Sequence, residues 1–348
     1  MTRYIGLDVH KASCTLAVVN EQGKRMGSAV VETNGRSLVE FVKTVPSPRY
    51  LCFEEGTQSS WLHEVLSRHV NDIVVTHKFE RTSGQKNDLS DALEMANSAR
   101  LGTVTPVYKD GGKLGKLRAQ ADVHRQVTAD VVRIRNRIKA LYRSRGVQTA
   151  GSSVYTQKWR CDYIEQLPPE YQPSMMLLYD QLDGLLQVQK SAEKQLVKES
   201  AKHPISTILL TRPGLGPIRV AQLIPIIVSP QRFRTKRQLW NYCGLGVVMR
   251  SSSDWIKGAD GWQRDTVNRT RGRGRNWGRR LKHIFKGAAT TVIMGKDGPM
   301  YQSYLNALEQ GTKTPIAKVT LARRIAATML AMWKTQEVYK PRRRLMEG

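Results

Sequence analysis

The chain is short of acid, of paired cysteine and of long apolar runs, and each shortage removes a class of function. Only 29 Asp and Glu stand against 56 Lys and Arg, a formal charge of +27. So large a cationic excess implies a polyanionic partner. The four cysteines, Cys14, Cys52, Cys161 and Cys243, are widely spaced and show neither a disulfide framework nor paired zinc spacing; they are expected to be reduced, mostly buried thiols. The seven histidines form no HExxH or HxxxH pattern, which removes the common zinc enzymes. The best apolar run, Val220 to Val228, contains Gln222 and Pro225 and falls well short of the roughly 18 residues of a membrane span. No secretory-type apolar stretch precedes Asp8. The expectation is a soluble cytoplasmic protein with no membrane partner.

Phosphate-turn signatures are missing too. No GxxxxGK[ST] occurs, and Ile5-Gly6-Leu7-Asp8 is followed by Val9-His10-Lys11, not by the Gly and Thr/Ser turn of an actin-like ATPase.

What is present is unevenly placed. Residues 1–112 hold 13 basic and 13 acidic side chains, and the remainder holds 43 and 16. The whole excess follows Gly112, so one part grips phosphates while a neutral part has another task.

In the neutral part, Tyr4 to Leu7, Ser13 to Val19 and Met26 to Val31 read as a three-strand meander. Asn34 caps a helix through Val42, and strands over Tyr50 to Phe53 and Asp72 to Thr76 alternate with helices over Ser60 to Arg68 and Asp88 to Leu101. The order βββαβαβα is that of an RNase H fold, a mixed sheet flanked by helices. Beyond Gly111-Gly112, Leu114 to Arg145 and Ser174 to Lys202 carry apolar residues at three- and four-residue steps, which predicts an antiparallel helical hairpin or a dimerising coiled coil. Basic residues, among them Arg133, Arg137 and Lys139, stand between the apolar ones. Residues 204–339 are expected to form a mainly helical domain, with a closing helix over Ile316 to Trp333, and residues 340–348 a basic tail.

Two basic features mark that last domain. Arg212-Pro213-Gly214-Leu215-Gly216-Pro217 suits a helix-hairpin-helix turn, where glycines let backbone amides approach a phosphate, and equally suits a plain tight turn. Arg264 to Lys286 holds nine basic residues against Asp265 alone. Arg264, Arg269, Arg271, Arg273, Arg275, Arg279 and Arg280 are candidates for following a phosphate backbone, and Trp277 for stacking on a base. Trp255 and Trp262 are read as flanking a Gly/Asp-rich loop.

Metal-assisted phosphodiester chemistry needs several oxygens converging from different elements. Asp8 ends the first apolar strand and Glu54 the next central one, with Glu55 as its alternative. Asp88 and Asp91 share a helix face at i, i+3. Capping is the competing explanation of that pair, with Asp88 as N-cap and Asp91 favoured by the helix dipole.

These residues resemble the DEDD transposases of the insertion-sequence one-hundred-and-ten group, relatives of the pilin-gene invertase Piv. The likeness spans nearly the whole chain. It rests on Ile5-Gly6-Leu7-Asp8, Cys52-Phe53-Glu54, Lys86-Asn87-Asp88-Leu89-Ser90-Asp91-Ala92, Arg212-Pro213-Gly214-Leu215-Gly216 and Tyr242-Cys243-Gly244-Leu245 before a serine-rich stretch.

The resemblance implies several things. The fold is a RuvC-like domain over 1–112, a basic, oligomerising helical linker over 113–203 and a transposase domain over 204–339. Asp8, Glu54, Asp88 and Asp91 bind Mg²⁺ or Mn²⁺, and the family's spacing puts a nucleophilic serine at Ser252. Double-stranded donor and target DNA, a structured noncoding guide RNA and further copies of the chain, as a dimer or tetramer, are the implied partners. The stretch Arg250-Ser251-Ser252-Ser253-Asp254 departs from the family's Ser-Gly-Ser-Ser, so Ser251 and Ser253 stay open as alternatives. Gly246-Val247 also stands where Pro-Arg is common, and the family's Thr-Gly survives only as Gly56-Thr57.

Overall fold

The computed structural model describes residues 1–77, 87–109, 112–250, 255–259, 261–264, 270–272 and 278–341. The chain divides into two compact units, Met1–Gly115 and Lys116–Gly348.

In the first unit, short apolar runs, alternating only in the third, build five strands: β1 (Arg3–Val9), β2 (Ser13–Asn20), β3 (Arg25–Glu32), β4 (Arg49–Glu54) and β5 (Asp72–Thr76). They pair in the order β3-β2-β1-β4-β5. β1 and β2, and β2 and β3, are antiparallel, whereas β4 lies parallel to both β1 and β5. Three helices accompany them, α1 (Gly35–Thr44), α2 (Ser59–Leu66) and α3 (Asp88–Leu101), so the chain runs βββαβαβα as the periodicity implies. Asn34 caps α1, its side chain accepting from the Ser37 amide at 2.8 Å.

Period-two alternation gives the sheet two different faces. Ile5, Leu7, Leu51 and Phe53 meet Leu38 and Val42 of α1 and Leu62 and Leu66 of α2 in one buried cluster, each large side chain contributing about 1.5–3 kcal/mol. The opposite face presents Gly6, against which α3 packs: a Cβ on Gly6 would lie 1.8 Å from the Ala92 carbonyl oxygen and 2.7 Å from the Ala96 nitrogen. Glycine is required there by proximity.

The second unit is mainly helical. α4 (Gly115–Ser144) and α6 (Gln172–Ser200) run antiparallel, with the short α5 (Gln157–Ile164) in the connection. The Tyr142 and Tyr179 hydroxyls lie 3.0 Å apart, and Gln189 donates to Thr128 at 3.1 Å, so one helix rises as the other falls. Val131, Ile134, Ile138, Met175 and Leu182 fill the seam. Then follow α7 (Pro204–Leu210), α8 (Pro217–Ile227), α9 (Lys236–Tyr242), α10 (Arg279–Gly295), α11 (Gly298–Glu309) and α12 (Thr314–Thr335). α12 buries Leu321, Ile325, Met329 and Trp333 along its length.

Where a loop is expected between α9 and α10, four short strands occur: β6 (Val248–Arg250), β7 (Trp255–Gly258), β8 (Gly261–Arg264) and β9 (Thr270–Gly272). β6 pairs with β9 and β7 with β8, both antiparallel. Trp255 and Trp262 therefore stand on the two strands of a hairpin, flanking the short Gly/Asp-rich connection between them. The strands are three or four residues long, too short for an alternation signal. Among the described residues no helix is long and apolar enough to cross a membrane.

Candidate active site

Strand register decides where the first two acids sit. Leu7 of β1 is level with Phe53 of β4, so the next residues, Asp8 and Glu54, leave the sheet side by side. Both are two residues beyond positions on the α3 face, Gly6 and Cys52, and share that face. They line one cleft of about 390 Å³ at the ends of β1 and β4, together with His10, Lys11, Glu55, Thr57 and Gln58. Burial, and then the Glu54 charge, push the Cys52 thiol up to about 12, so it stays neutral beside the site.

The close approach at Gly6 brings α3 near enough for its first turn to reach the same place. Asp88 Oδ2 lies 3.2 Å from His10 Nε2, and Asp8 Oδ2 lies 3.2 Å from the same nitrogen. Asp8, His10 and Asp88 each offer a ligand atom, all within 4.8 Å of one another. Asp91, three residues after Asp88, is half-buried in the same first turn.

The cap of α3 is Asn87, whose side chain accepts from the Leu89 amide at 3.0 Å. Asp88 is inside the helix, which corrects the expectation that it could serve as N-cap. The Glu54/Glu55 alternative also separates. The Glu55 carboxylate pairs with Lys109 at 2.6 Å, and Lys109 also donates to Ser59 at 2.9 Å, whereas Glu54 continues the β4 ladder opposite Thr76.

His10 is a site residue that sequence reasoning misses. It follows β1 by one position, and its backbone is held at both ends: its amide donates to Ser13 O at 3.0 Å, and its carbonyl accepts from the Thr33 hydroxyl at 2.9 Å. The only signal for it in the sequence is a histidine two residues after a strand-end aspartate.

The basic candidates divide. Arg279 lines a groove of about 380 Å³ on α10 and α12 with Lys282, His283, Lys286, Thr290 and Lys318, and no acid among the described residues lines it. Its neighbour Arg280 instead pairs with Asp122 of α4 at 2.6 Å. Arg133 is tied to Asp130 within its own helix. Lys139 donates to Gly151 O at 2.7 Å and lies over the Tyr155 ring, while Arg137 is exposed. The backbones of Arg264 and Arg271 lie in β8 and β9. Ser252, with Ser251 and Ser253, and Arg269, Arg273, Arg275 and Trp277 lie outside the described residues.

By register, Trp255, Lys257 and Trp262 share one face of the β7–β8 hairpin, since Lys257 is opposite Trp262. All three are exposed, the tryptophans at 57% and 67%. They join Trp277, the one stacking candidate evident from the sequence.

The Gly214-Leu215-Gly216 turn precedes α8 with Gly216 at the N-cap. Gly214 has φ +88° and abuts α10, where a Cβ would lie 2.7 Å from Ala288 O. Arg212 is turned inward, 1% exposed, with its guanidinium 4.5 Å from the Tyr339 ring centre. The arginine of this motif is a core residue. All four cysteines are free, and three are buried; Cys161 is exposed.

Two family models match this chain. The DEDD transposase model of the IS110 group covers residues 5–144, the span holding Asp8, Glu54, Asp88 and Asp91. The model described as transposase IS116/IS110/IS902 family covers residues 206–304. The chain is also 23% identical, over 97% of its own length and 96% of the relative's, to an uncharacterised 44.8 kDa protein of insertion element IS116 from Streptomyces clavuligerus. Two models of one group, matched in order along most of the chain, agree with Asp8 and Asp88 meeting at His10 beside the cleft that Glu54 lines: this chain belongs to the IS116/IS110/IS902 family of insertion-sequence transposases.

Proposed function

We propose that this transposase is a site-specific recombinase that cuts and rejoins DNA through a serine, assisted by a divalent ion held by Asp8, Glu54, Asp88 and Asp91. The observation that carries the proposal is the convergence of Asp8 from β1 and Asp88 from α3 on one nitrogen, beside a cleft that Glu54 also lines. Like charges repel, so two carboxylates from residues 80 positions apart that meet at one nitrogen are favoured by a cation between them. The donor set fits an ion of the Mg²⁺ or Mn²⁺ class, with carboxylates from three elements and a buried Asp8 oxygen that has no hydrogen-bond partner among the described residues. The mixed sheet with this strand order supports a RuvC-like, RNase H-type unit.

A bound divalent ion would supply polarisation of the scissile phosphate and a more acidic nucleophile. The protein's own contribution is positional. β1, β4 and α3 fix the carboxylates, and the serine, Ser252 by the family's spacing, supplies the attacking oxygen. Its Oγ bonds to phosphorus as the bond to the 3′ oxygen breaks; the proton lost by the serine is matched by the proton gained at that oxygen. The resulting phosphoserine ester conserves the bond energy needed for rejoining.

The α10–α12 groove, with its four Lys and Arg side chains, supports contact with DNA phosphates. Exposed Val132, Met176, Leu177 and Val188 on α4 and α6 support homo-oligomerisation through the helical hairpin. Guidance by a structured RNA, and action in the cytoplasm, complete the proposal by family likeness.

The test is an adduct trap. Wild type with Mg²⁺ or Mn²⁺ and junction DNA of the element should leave DNA covalently attached to protein after denaturation. Ser252→Ala should abolish the adduct, and Asp8→Asn and Asp88→Asn should abolish cleavage while keeping DNA binding. Cleavage without an adduct, retained in Ser251→Ala, Ser252→Ala and Ser253→Ala alike, makes water the nucleophile, as in a RuvC-like junction endonuclease. Unimpaired cleavage by both aspartate variants would overturn the metal assignment.

A further inference from the structure

The geometry points to His10 as a direct ligand of the divalent ion in the Asp8–Asp88 cleft, giving the site a nitrogen donor and a bias toward Mn²⁺ over Mg²⁺. This rests on the proposal that the cleft holds a metal, and it adds to the four carboxylates a residue outside that set.

Three observations converge. The first is distance. Nε2 lies 3.2 Å from Asp8 Oδ2 and 3.2 Å from Asp88 Oδ2. Ligands on adjacent corners of an octahedron with bonds of about 2.1 Å stand about 3 Å apart, so both spacings suit neighbouring donors around one ion.

The second is orientation. At 3.2 Å an imidazole beside a carboxylate would ordinarily be hydrogen-bonded, yet His10 Nε2 and Asp8 Oδ2 are both buried atoms with no hydrogen-bond partner among the described residues. Nitrogen and oxygen are close without being aligned for a shared proton. Atoms that all face a common centre have that arrangement.

The third is fixation. The Ser13 carbonyl and the Thr33 hydroxyl hold the His10 backbone, in the turn joining β1 to β2. Asp8 is in β1 itself, so two donors come from one rigid hairpin and the third, Asp88, from the start of α3. A ligand held before the ion arrives loses little freedom on binding.

The consequence is selectivity. Mg²⁺ favours all-oxygen coordination, whereas imidazole suits transition ions. A site with one nitrogen among carboxylates should therefore hold Mn²⁺ more tightly than Mg²⁺, by a margin that depends on His10.

The test uses the full chain and Mn²⁺ alone, without nucleic acid. Pulsed electron paramagnetic resonance of Mn²⁺-loaded wild type should show ¹⁴N coupling from a coordinated imidazole, and calorimetry should give the Mn²⁺/Mg²⁺ affinity ratio. His10→Ala should abolish the nitrogen signal and lower the ratio by about tenfold, the scale on which metal affinity responds when support for a ligand is removed. His10→Gln, which keeps bulk and offers an oxygen, should recover part of the affinity and none of the nitrogen signal; circular dichroism checks that both variants are folded.

If wild type binds Mn²⁺ with no nitrogen coupling, and His10→Ala binds it equally well, His10 only neighbours the acids and the inference is overturned while the carboxylate site stands. If wild type binds no Mn²⁺ and Asp8→Asn behaves identically, the metal site and the inference fall together.

Discussion

Replacing Gly6 with alanine tests whether the backbone spacing of β1 and α3 sets the site. The added methyl would lie 1.8 Å from Ala92 O and 2.8 Å from its carbonyl carbon. Ordinary van der Waals separation needs about 3.5 Å or more, so the two backbones must part by about 1.7 Å. Overpacking of this kind costs about 1–3 kcal/mol, and a backbone obstacle that cannot rotate away belongs at the upper end. For a unit of this size that corresponds to a fall in Tm of roughly 10–15 °C. The larger effect should be chemical. Asp88 moves with α3 while Asp8 stays with β1, and a displacement of about 1 Å in a catalytic constellation costs on the order of 10²-fold in rate. Differential scanning calorimetry and single-turnover strand cleavage read the two effects. Ala92→Gly in the Gly6→Ala background should not rescue either, because the obstacle is the carbonyl and not the Ala92 side chain. Wild-type Tm and cleavage in Gly6→Ala would refute the claim that close approach of these elements builds the site.

Further outcomes follow from other features. Lys286→Glu and Lys318→Glu should each weaken duplex binding and flatten the log-log salt dependence by about one unit for each phosphate no longer neutralised; Arg280→Glu should alter the slope less, since Arg280 is engaged with Asp122. Trp262→Ala should cost about 1–3 kcal/mol in binding single-stranded DNA if it stacks on a base, read by fluorescence anisotropy, and undiminished binding would remove the hairpin from the interface. Arg212→Met should raise Tm at neutral pH, because burial pushes the Arg212 guanidinium down to about 10 and its Nε and Nη2 lack hydrogen-bond partners among the described residues. The sign follows from linkage: the unfolded chain holds that proton to higher pH, so the wild-type deficit is full below about 10 and shrinks as pH rises past it. A variant that melts below wild type at pH 7 would show that packing against Tyr339 outweighs the cost of the buried charge.

The first unit is legible in the sequence because its signals are local. Ile5-Gly6-Leu7 and Leu51-Cys52-Phe53 are apolar runs ending in acids, and strand ends at sheet edges are where unpaired carboxylates are tolerated. The order of strands and helices follows from periods of 2 and 3.6. His10 is not legible, because its partner Asp88 is 78 positions away and only the approach of α3 to Gly6 makes them neighbours. Arg279 and Arg280 look alike in the sequence, yet one helical step of about 100° separates their faces, sending one to the groove and the other to Asp122. Arg212 reads as cationic surface, since nothing local distinguishes an arginine that packs inward. The strands β6–β9 escape notice because three or four residues rich in Gly, Lys and Arg give no alternation to count.

The identity of the residue that caps α3 has an outcome beyond helix stability. Asn87 satisfies the Leu89 amide with a neutral group, so the entrance to the helix is secured without adding to the negative charge crowded next to it. An aspartate would cap as well but would place another anion against Asp88. Helix anchorage and appetite for cations can thus be adjusted independently at one position, and Asn87→Asp would strengthen the attraction for any divalent guest while adding to the repulsion among the carboxylates when none is bound.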